Sequence, residues 1–236
     1  MTDLHTHILP GMDDGAKTPD ESIAMLRAQY AQGVDMVALT PHFYPERENC
    51  ERFLQRRSAA WEQLKTAILA LPQQERAQLP RLVLGAEVAF MPGLENIEGL
   101  QRLCIGNTKN MLLELPFYPW GKSLIRQLYG FLGQVGVTPV LAHIERYFSC
   151  QSKRALDEVL ELGLPVQVGA DALTWTKSPV MKLIKQGKGH LIASDCHDLV
   201  HRPPNMAAAM QAIEKKLGAE YCEELKEMAA QLAVKE

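Results

Sequence analysis

Gly136-Val137-Thr138-Pro139-Val140-Leu141-Ala142-His143 is the stretch whose reading decides the fold. The glycine stops the helical pattern before it, Thr138–Ala142 is a near-continuous apolar run, and a histidine follows immediately. A strand that is apolar on both faces belongs in a parallel sheet covered by helices, because a sheet with one wet face alternates in polarity. The same helix–glycine–strand junction returns at Gly163-Leu164 and Gly187-Lys188, a weak repeat of α/β units.

Further strands are expected at Met1–His5, Met36–Thr40, Leu82–Val88, Met111–Leu115, Pro165–Val168 and His190–Ser194. Between them lie helical patterns. Thr18-Pro19-Asp20-Glu21 reads as an N-cap, a proline at the first helical position and a capping-box glutamate. Ile23, Leu26 and Tyr30 recur at helical spacing, and Gly33 stops that helix. Glu48–Leu71 reads as one long helix ending before Pro72, and residues 205–236 as an amphipathic helical segment that caps the barrel or meets a partner subunit. Alternating β and α elements imply right-handed crossovers. About seven strands point to a closed or nearly closed barrel, with an open doubly wound sheet as the alternative. No Gly/Ser/Pro-rich linker divides the 236 residues, so a single domain over 1–236 is expected.

A net charge of −3 and the lack of a Lys/Arg-rich run argue against a nucleic-acid partner. No charged-then-apolar leader precedes the first strand, and no run of about 18 apolar residues suggests a membrane span. Cys50, Cys104, Cys150, Cys196 and Cys222 are odd in number, scattered and never spaced C-x-x-C. Reduced thiols and a cytoplasmic location follow as expectations.

The placement of ligand-type side chains carries the chemistry. His5 and His7 follow the first strand, His42 the second, and Glu87 ends the third. Glu114 ends the fourth, His143 follows the fifth, and Asp195 with His197 follow the last. Parallel α/β barrels build their sites at the C-terminal ends of their strands. Imidazoles mixed with carboxylates suit zinc, manganese or iron, and a bridging carboxylate holds two ions close together.

His5-Thr6-His7 with Asp13-Asp14-Gly15, Thr40-Pro41-His42, Gly85-Ala86-Glu87, Leu113-Glu114, Ala142-His143-Ile144-Glu145-Arg146-Tyr147 and Ala193-Ser194-Asp195-Cys196-His197 together resemble the PHP (polymerase and histidinol phosphatase) superfamily. With Arg202-Pro203-Pro204 added, the chain looks like the branch of manganese-dependent protein-tyrosine phosphatases found with bacterial capsule and exopolysaccharide genes. Glu114 suits that branch, where many PHP relatives place a histidine. The resemblance implies a distorted (β/α)7 barrel with three divalent ions, manganese foremost and iron or zinc as alternatives. His5, His7, Glu87 and Asp195 would hold the first ion. Glu87, Glu114 and His143 would hold the second, and Asp14, His42 and His197 the third. Arg146 and Arg202 would bind phosphate, and a metal-bound hydroxide would attack phosphorus. The implied partner is a phosphotyrosine-bearing protein, a bacterial tyrosine kinase in control of polysaccharide synthesis; a homo-oligomer is left open.

Several residues carry plainer alternatives. Asp13 is expected to support its loop, His190 to be structural, and Arg146 has Glu145 as a rival ion-pair partner. Asp198 is a candidate proton donor; Tyr118 and Trp120 are expected by default to pack in the Pro116–Gly121 loop, with a part in gripping an aromatic substrate as the further hypothesis. Cys196 and Arg202 have the C-x5-R spacing of cysteine-dependent phosphatases, yet no glycine intervenes to form the phosphate cradle. A small-molecule phosphomonoesterase acting on a compound such as histidinol phosphate, or a non-catalytic metal-stabilised barrel, are the competing functions.

Overall fold

The structure is a computed structural model that describes residues 1–134, 136–174 and 179–233; residues 234–236 of the expected C-terminal helical segment lie outside them. The strands are β1 (Thr2–Thr6), β2 (Met36–Leu39), β3 (His42–Phe43), β4 (Arg81–Leu84), β5 (Glu87–Ala89), β6 (Asn110–Glu114), β7 (Thr138–Leu141), β8 (Gln167–Gly169) and β9 (Leu191–Ala193). The α-helices are α1 (Pro19–Ala31), α2 (Cys50–Ala70), α3 (Gln73–Arg76), α4 (Lys122–Gln134), α5 (Lys153–Leu160), α6 (Ala170–Thr174), α7 (Val180–Lys185), α8 (Met206–Leu217) and α9 (Ala219–Ala233).

All strand pairings are parallel, as the apolar runs require. They fall into three ladders, β1-β2-β4, β3-β5-β6-β7 and β8-β9. The expected Leu82–Val88 strand is split at Gly85-Ala86, and His42–Phe43 adds a short strand beyond Thr40-Pro41. Both breaks are bridged: Gly85 N–H donates to Leu39 O at 2.9 Å and Glu87 N–H to Pro41 O at 3.1 Å. Residues 36–43 and 81–89 therefore act as one strand position each. Single parallel bridges, Thr6 to Cys196 and Leu141 to Val166, join the remaining edges. Seven strand positions thus follow one another in a circuit, but the ladder around it is interrupted, which is the distortion the barrel carries.

Two cores result. Leu4, Ala38, Leu112, Val140, Ala142 and Leu191 face inward and meet Ala229, Leu232 and Ala233 of α9. The C-terminal helix thus packs on the barrel interior, where Asn110 Nδ2 also donates to Leu232 O at 2.8 Å. A larger outer cluster lies between the strands and the surrounding helices. Helix α1 begins as its sequence predicts, with Thr18 Oγ1 accepting from Glu21 N–H at 3.2 Å. Tyr30, however, is exposed rather than packed. Among the described residues no helix is long and apolar enough to cross a membrane.

Candidate metal centre

The site begins with an irregularity in β1. Pairing with β2 shifts register between Asp3 and Thr6, and such a bulge re-aims side chains. Leu4 stays in the inner core, Asp3 meets Gln29 of α1 at 2.6 Å, and His5 and His7 both enter the polar cluster. Asp3 also accepts from the backbone N–H groups of Ser194 (3.0 Å) and His5 (3.3 Å), tying β1, β9 and α1 together beneath the cluster. Burial pushes its carboxyl up.

His5, His7, His42, Glu87, Glu114, His143, Asp195, His197 and Asp14 all converge at the C-terminal ends of the strands. His42 pairs with Glu87 directly across β3 and β5, which brings His42 Nδ1 to 2.9 Å from Glu87 Oε2. His143 and Asp195 have φ of 28° and 52°, the non-glycine residues with positive φ among those described. Such backbone costs about 1–3 kcal/mol and persists where surrounding structure over-determines it.

Two hydrogen bonds fix the histidine tautomers. Gln167 Oε1 accepts from His143 N–H at 2.6 Å, so it must also be the acceptor for His5 Nδ1–H at 3.1 Å. His7 Nδ1–H donates to Asp13 Oδ2 at 2.8 Å. The Nε2 lone pairs of His5 and His7 are then left facing each other 3.1 Å apart. Glu87 Oε2 lies 3.2–3.3 Å from both nitrogens, and Asp195 Oδ1 lies 3.3 Å from both. Neither oxygen makes a hydrogen bond, although both are buried. Lone pairs crowded in this way repel unless a cation lies between them. His5, His7 and Glu87 bring their ligand atoms close enough together to share one ion, and their mixed nitrogen and oxygen set is one that zinc, manganese or iron accepts. The donor set therefore fits a metal ion.

Two further groups adjoin it. His143 Nε2 stands 2.9 Å from Glu87 Oε1 and 3.4 Å from Glu114 Oε1, and His42 also reaches Glu87 and Glu114. Asp14, His42 and His197 gather with His7: Asp14 Oδ1 is 3.3 Å from His197 Nε2 and 3.6 Å from His42 Nε2. His197 Nδ1–H donates to Asp195 O at 2.9 Å, which leaves its buried Nε2 as an unpaired lone pair. The close groups are thus His5, His7 and Glu87, then His42, Glu87 and Glu114, and then His7, Asp14, His42 and His197, with Asp195 and His143 adjoining the first and second.

The carboxylates set the electrostatics. Burial alone raises a carboxyl, yet the surrounding histidines, His5 foremost, hold Glu87 and Asp195 well below the usual range. Burial depresses His143, but Glu114 and Glu87 overcome it and lift it to about 9; in the same way Asp13, Asp195 and Glu87 lift His7. Burial and the neighbouring His7 drop His197 to about 4. The carboxylates thus favour positive charge at His7 and His143, while His197 is held neutral.

Arg146 and Arg202 both direct an Nη2 donor at Asp195 Oδ2, Arg202 at 2.6 Å. Glu145, the rival partner, instead accepts from Gly169 N–H at 3.0 Å. Both guanidiniums remain partly exposed beside the cluster. Asp198 corrects an expectation. Slight burial works to raise its carboxyl, but the backbone N–H groups of His201, Val200 and Arg202 bind Oδ1 and hold it below the usual range. That is the geometry of a loop anchor, and an ionised anchor is a poor proton donor. Trp120 takes its default packing role: it is buried, and its Nε1–H donates to Pro116 O at 2.8 Å. Tyr118 is exposed. Cys196 is fully buried against Gln29 and Ser194, and burial followed by Asp3 raises its thiol, so it cannot serve as the nucleophile.

Gln167 is the residue that sequence reading missed. A lone glutamine in the apolar Pro165–Val168 run was its only signal. Asp13, expected to support its loop, does so by orienting His7 while accepting from Gly15 N–H (2.9 Å) and His42 N–H (2.9 Å).

The fold and the cluster have counterparts among known proteins. The chain is 29% identical over 243 residues to the tyrosine-protein phosphatase CpsB of Streptococcus pneumoniae, covering 95% of this chain and 94% of that one. It is 30% identical over 228 residues to the tyrosine-protein phosphatase YwqE of Bacillus subtilis, covering 93% and 86%. A chain from the crystal structures of YwqE and CpsB, described as unique metal-dependent tyrosine phosphatases, superposes with a TM-score of 0.82 at 27% identity over 99% of this chain and 94% of that one. A lactonase of Deinococcus radiodurans resembling phosphotriesterases shares the fold alone, with a TM-score of 0.56 at 14% identity over 99% of this chain and 95% of that one. Residues 1–234 match the family described as capsular polysaccharide synthesis, CpsB/CapC, and the chain belongs to that family.

Proposed function

We propose that this chain is a metal-dependent protein-tyrosine phosphatase. The observation that carries this reading is the apposition of the facing His5 and His7 lone pairs to two half-open guanidiniums on the same Asp195 carboxylate. The kinship with CpsB and YwqE supports the substrate class.

In this reading the site holds three divalent ions, manganese foremost, with iron or zinc as alternatives that a mixed N/O shell also accepts. His5, His7, Glu87 and Asp195 hold the first. Glu87, Glu114 and His143 hold the second, and Asp14, His42 and His197 the third. Such ions supply Lewis acidity and lower the pKa of water to near neutrality. The chain's own residues do the rest. Arg146 and Arg202 turn their free N–H groups to the phosphoryl oxygens and stabilise the charge spread over them in the transition state. Asp195 keeps both guanidiniums in place, and Asp198 sets the loop that delivers Arg202. A tyrosine phenolate, of pKa about 10, leaves more readily than an alkoxide and needs little help from an acid.

The whole chain acts as one PHP-type metallophosphatase domain in the cytoplasm. Its substrate is a tyrosine-phosphorylated protein of the polysaccharide-synthesis machinery, an autophosphorylated tyrosine kinase foremost. The test is turnover of a phosphotyrosyl peptide by metal-stripped protein resupplied with single divalent ions. Metal-dependent turnover, with kcat/KM above that on histidinol phosphate, is expected. Preference for the small ester would replace this reading with the phosphomonoesterase, and no turnover with any ion would leave the non-catalytic barrel.

A further inference from the structure

We propose that Phe117 is the platform on which the ring of a phosphotyrosine lies, and hence the residue that makes the site selective for aryl phosphates. The inference rests on the phosphatase reading and assigns its specificity to one side chain.

Phe117 lies three residues beyond Glu114, in the loop between β6 and α4. The residue is 49% exposed, an apolar side chain left partly in water at the rim of a polar cluster. The ring is nevertheless held in one attitude. It lies 6.3 Å from the His143 ring with only 13° between the planes, and 5.3 Å from Tyr147. Tyr147 is fully buried, and its hydroxyl donates to Leu115 O at 3.0 Å while accepting from Leu115 N–H at 2.8 Å. The Trp120 ring backs Tyr147 at 5.0 Å, and Trp120 N–H donates to Gln151 Oε1 at 2.8 Å. Both ends of the short loop that carries Phe117 are thus pinned to a buried aromatic stack, which holds its backbone beside the site.

The other aromatic rings near the cluster are less exposed or make no contact with it. Tyr44 lies against His42 at 5.2 Å, and the Arg47 guanidinium lies over its ring at 4.4 Å. Tyr118 is exposed but makes no ring contact with a cluster residue among those described. Among the described residues Phe117 is the most exposed aromatic side chain that stacks on a cluster histidine. An ester that reacts at this cluster carries its organic group out past the rim. An aryl group places a flat ring there, suited to offset stacking at centroid separations of 4.5–7 Å. A seryl ester offers only a methylene and gains little.

The holoenzyme is assayed on a phosphotyrosyl peptide with two competitive inhibitors, phenylphosphonate and inorganic phosphate. Phe117→Ala is expected to raise KM and the phenylphosphonate Ki by about tenfold, with kcat and the phosphate Ki little changed. Phe117→Tyr should restore both values, and Phe117→Leu, which keeps the packing on Tyr147 but removes the π face, should not. Equal weakening of both inhibitors, no weakening of either, or full rescue by leucine would overturn the proposal. If the wild type fails to turn over the peptide, the phosphatase reading falls, and calorimetric binding of the two inhibitors then decides the role of Phe117 independently.

Discussion

At the scale of single residues, the cluster depends as much on what orients its ligands as on the ligands. Asp13 receives the Nδ1–H of His7 and so points Nε2 at the centre. Asn at this position keeps the size but weakens the acceptor, so Asp13→Asn should lower metal affinity or activity about 10–100-fold, read by metal titration of the stripped protein. Cys196 makes the opposite case. Its buried thiol lies on the α1 side of the strand, and Cys196→Ser should leave kcat within about twofold while a chelator abolishes turnover. His143 sets a pH dependence in the ion-free protein, where its pKa rises to about 9 from an unfolded value near 6.5. A raised histidine contributes stability that is complete below about pH 6.5 and is lost as pH climbs through about 9. Metal competes with that proton, so over the same window the ion-free protein should lose stability while metal binding tightens. Denaturant midpoints and calorimetric titrations at stepped pH values check the two trends, and proton release on metal uptake should fade above about pH 9.

Among elements, the break between β2 and β3 and the one between β4 and β5 have a functional consequence. They let strand positions 36–43 and 81–89 run on past the regular ladder and set His42 opposite Glu87. The 3-10 segment Ile144–Ser149 carries Arg146 and is docked on β8 through Glu145 and Gly169 N–H. A Cβ on Gly169 would come within 2.3 Å of Glu145 Oε1. Gly169→Ala should therefore displace Glu145 and, with it, the turn that aims Arg146. The expected result is a loss of kcat/KM on the order of tenfold with metal content intact, measured by kinetics alongside elemental analysis. These elements were legible in unequal degree. The apolar runs and helix-stopping glycines declare the strands, and Thr18 declares the start of α1. The two-residue β3 has no pattern of its own and exists only because β5 lies beside it.

For the whole molecule, α9 closes what the strands leave open. Its Leu232, with Ala229 and Ala233, packs on the inward-facing Leu4, Leu112, Val140 and Leu191, while the metal cluster occupies the strands' C-terminal ends. Leu232→Ala should cost about 2–3 kcal/mol of stability, seen as a lower denaturant midpoint, with metal stoichiometry per folded protein unchanged. The sequence by itself determined the parallel α/β architecture, because an apolar run cannot be shared with water. It also marked the polar cluster, because His5, His7, His42, Glu87, Glu114, His143, Asp195 and His197 each stand at or just beyond the end of such a run. Only the tertiary structure decided the parts that depend on contacts distant in sequence. The β1 register shifts between Asp3 and Thr6, Gln167 fixes the tautomer of His5 from 162 residues away, and Asp195 gathers Arg146 and Arg202 on one oxygen. Spacing along a chain encodes which face a side chain takes. It does not encode which partner waits on that face, and here the partners set the chemistry.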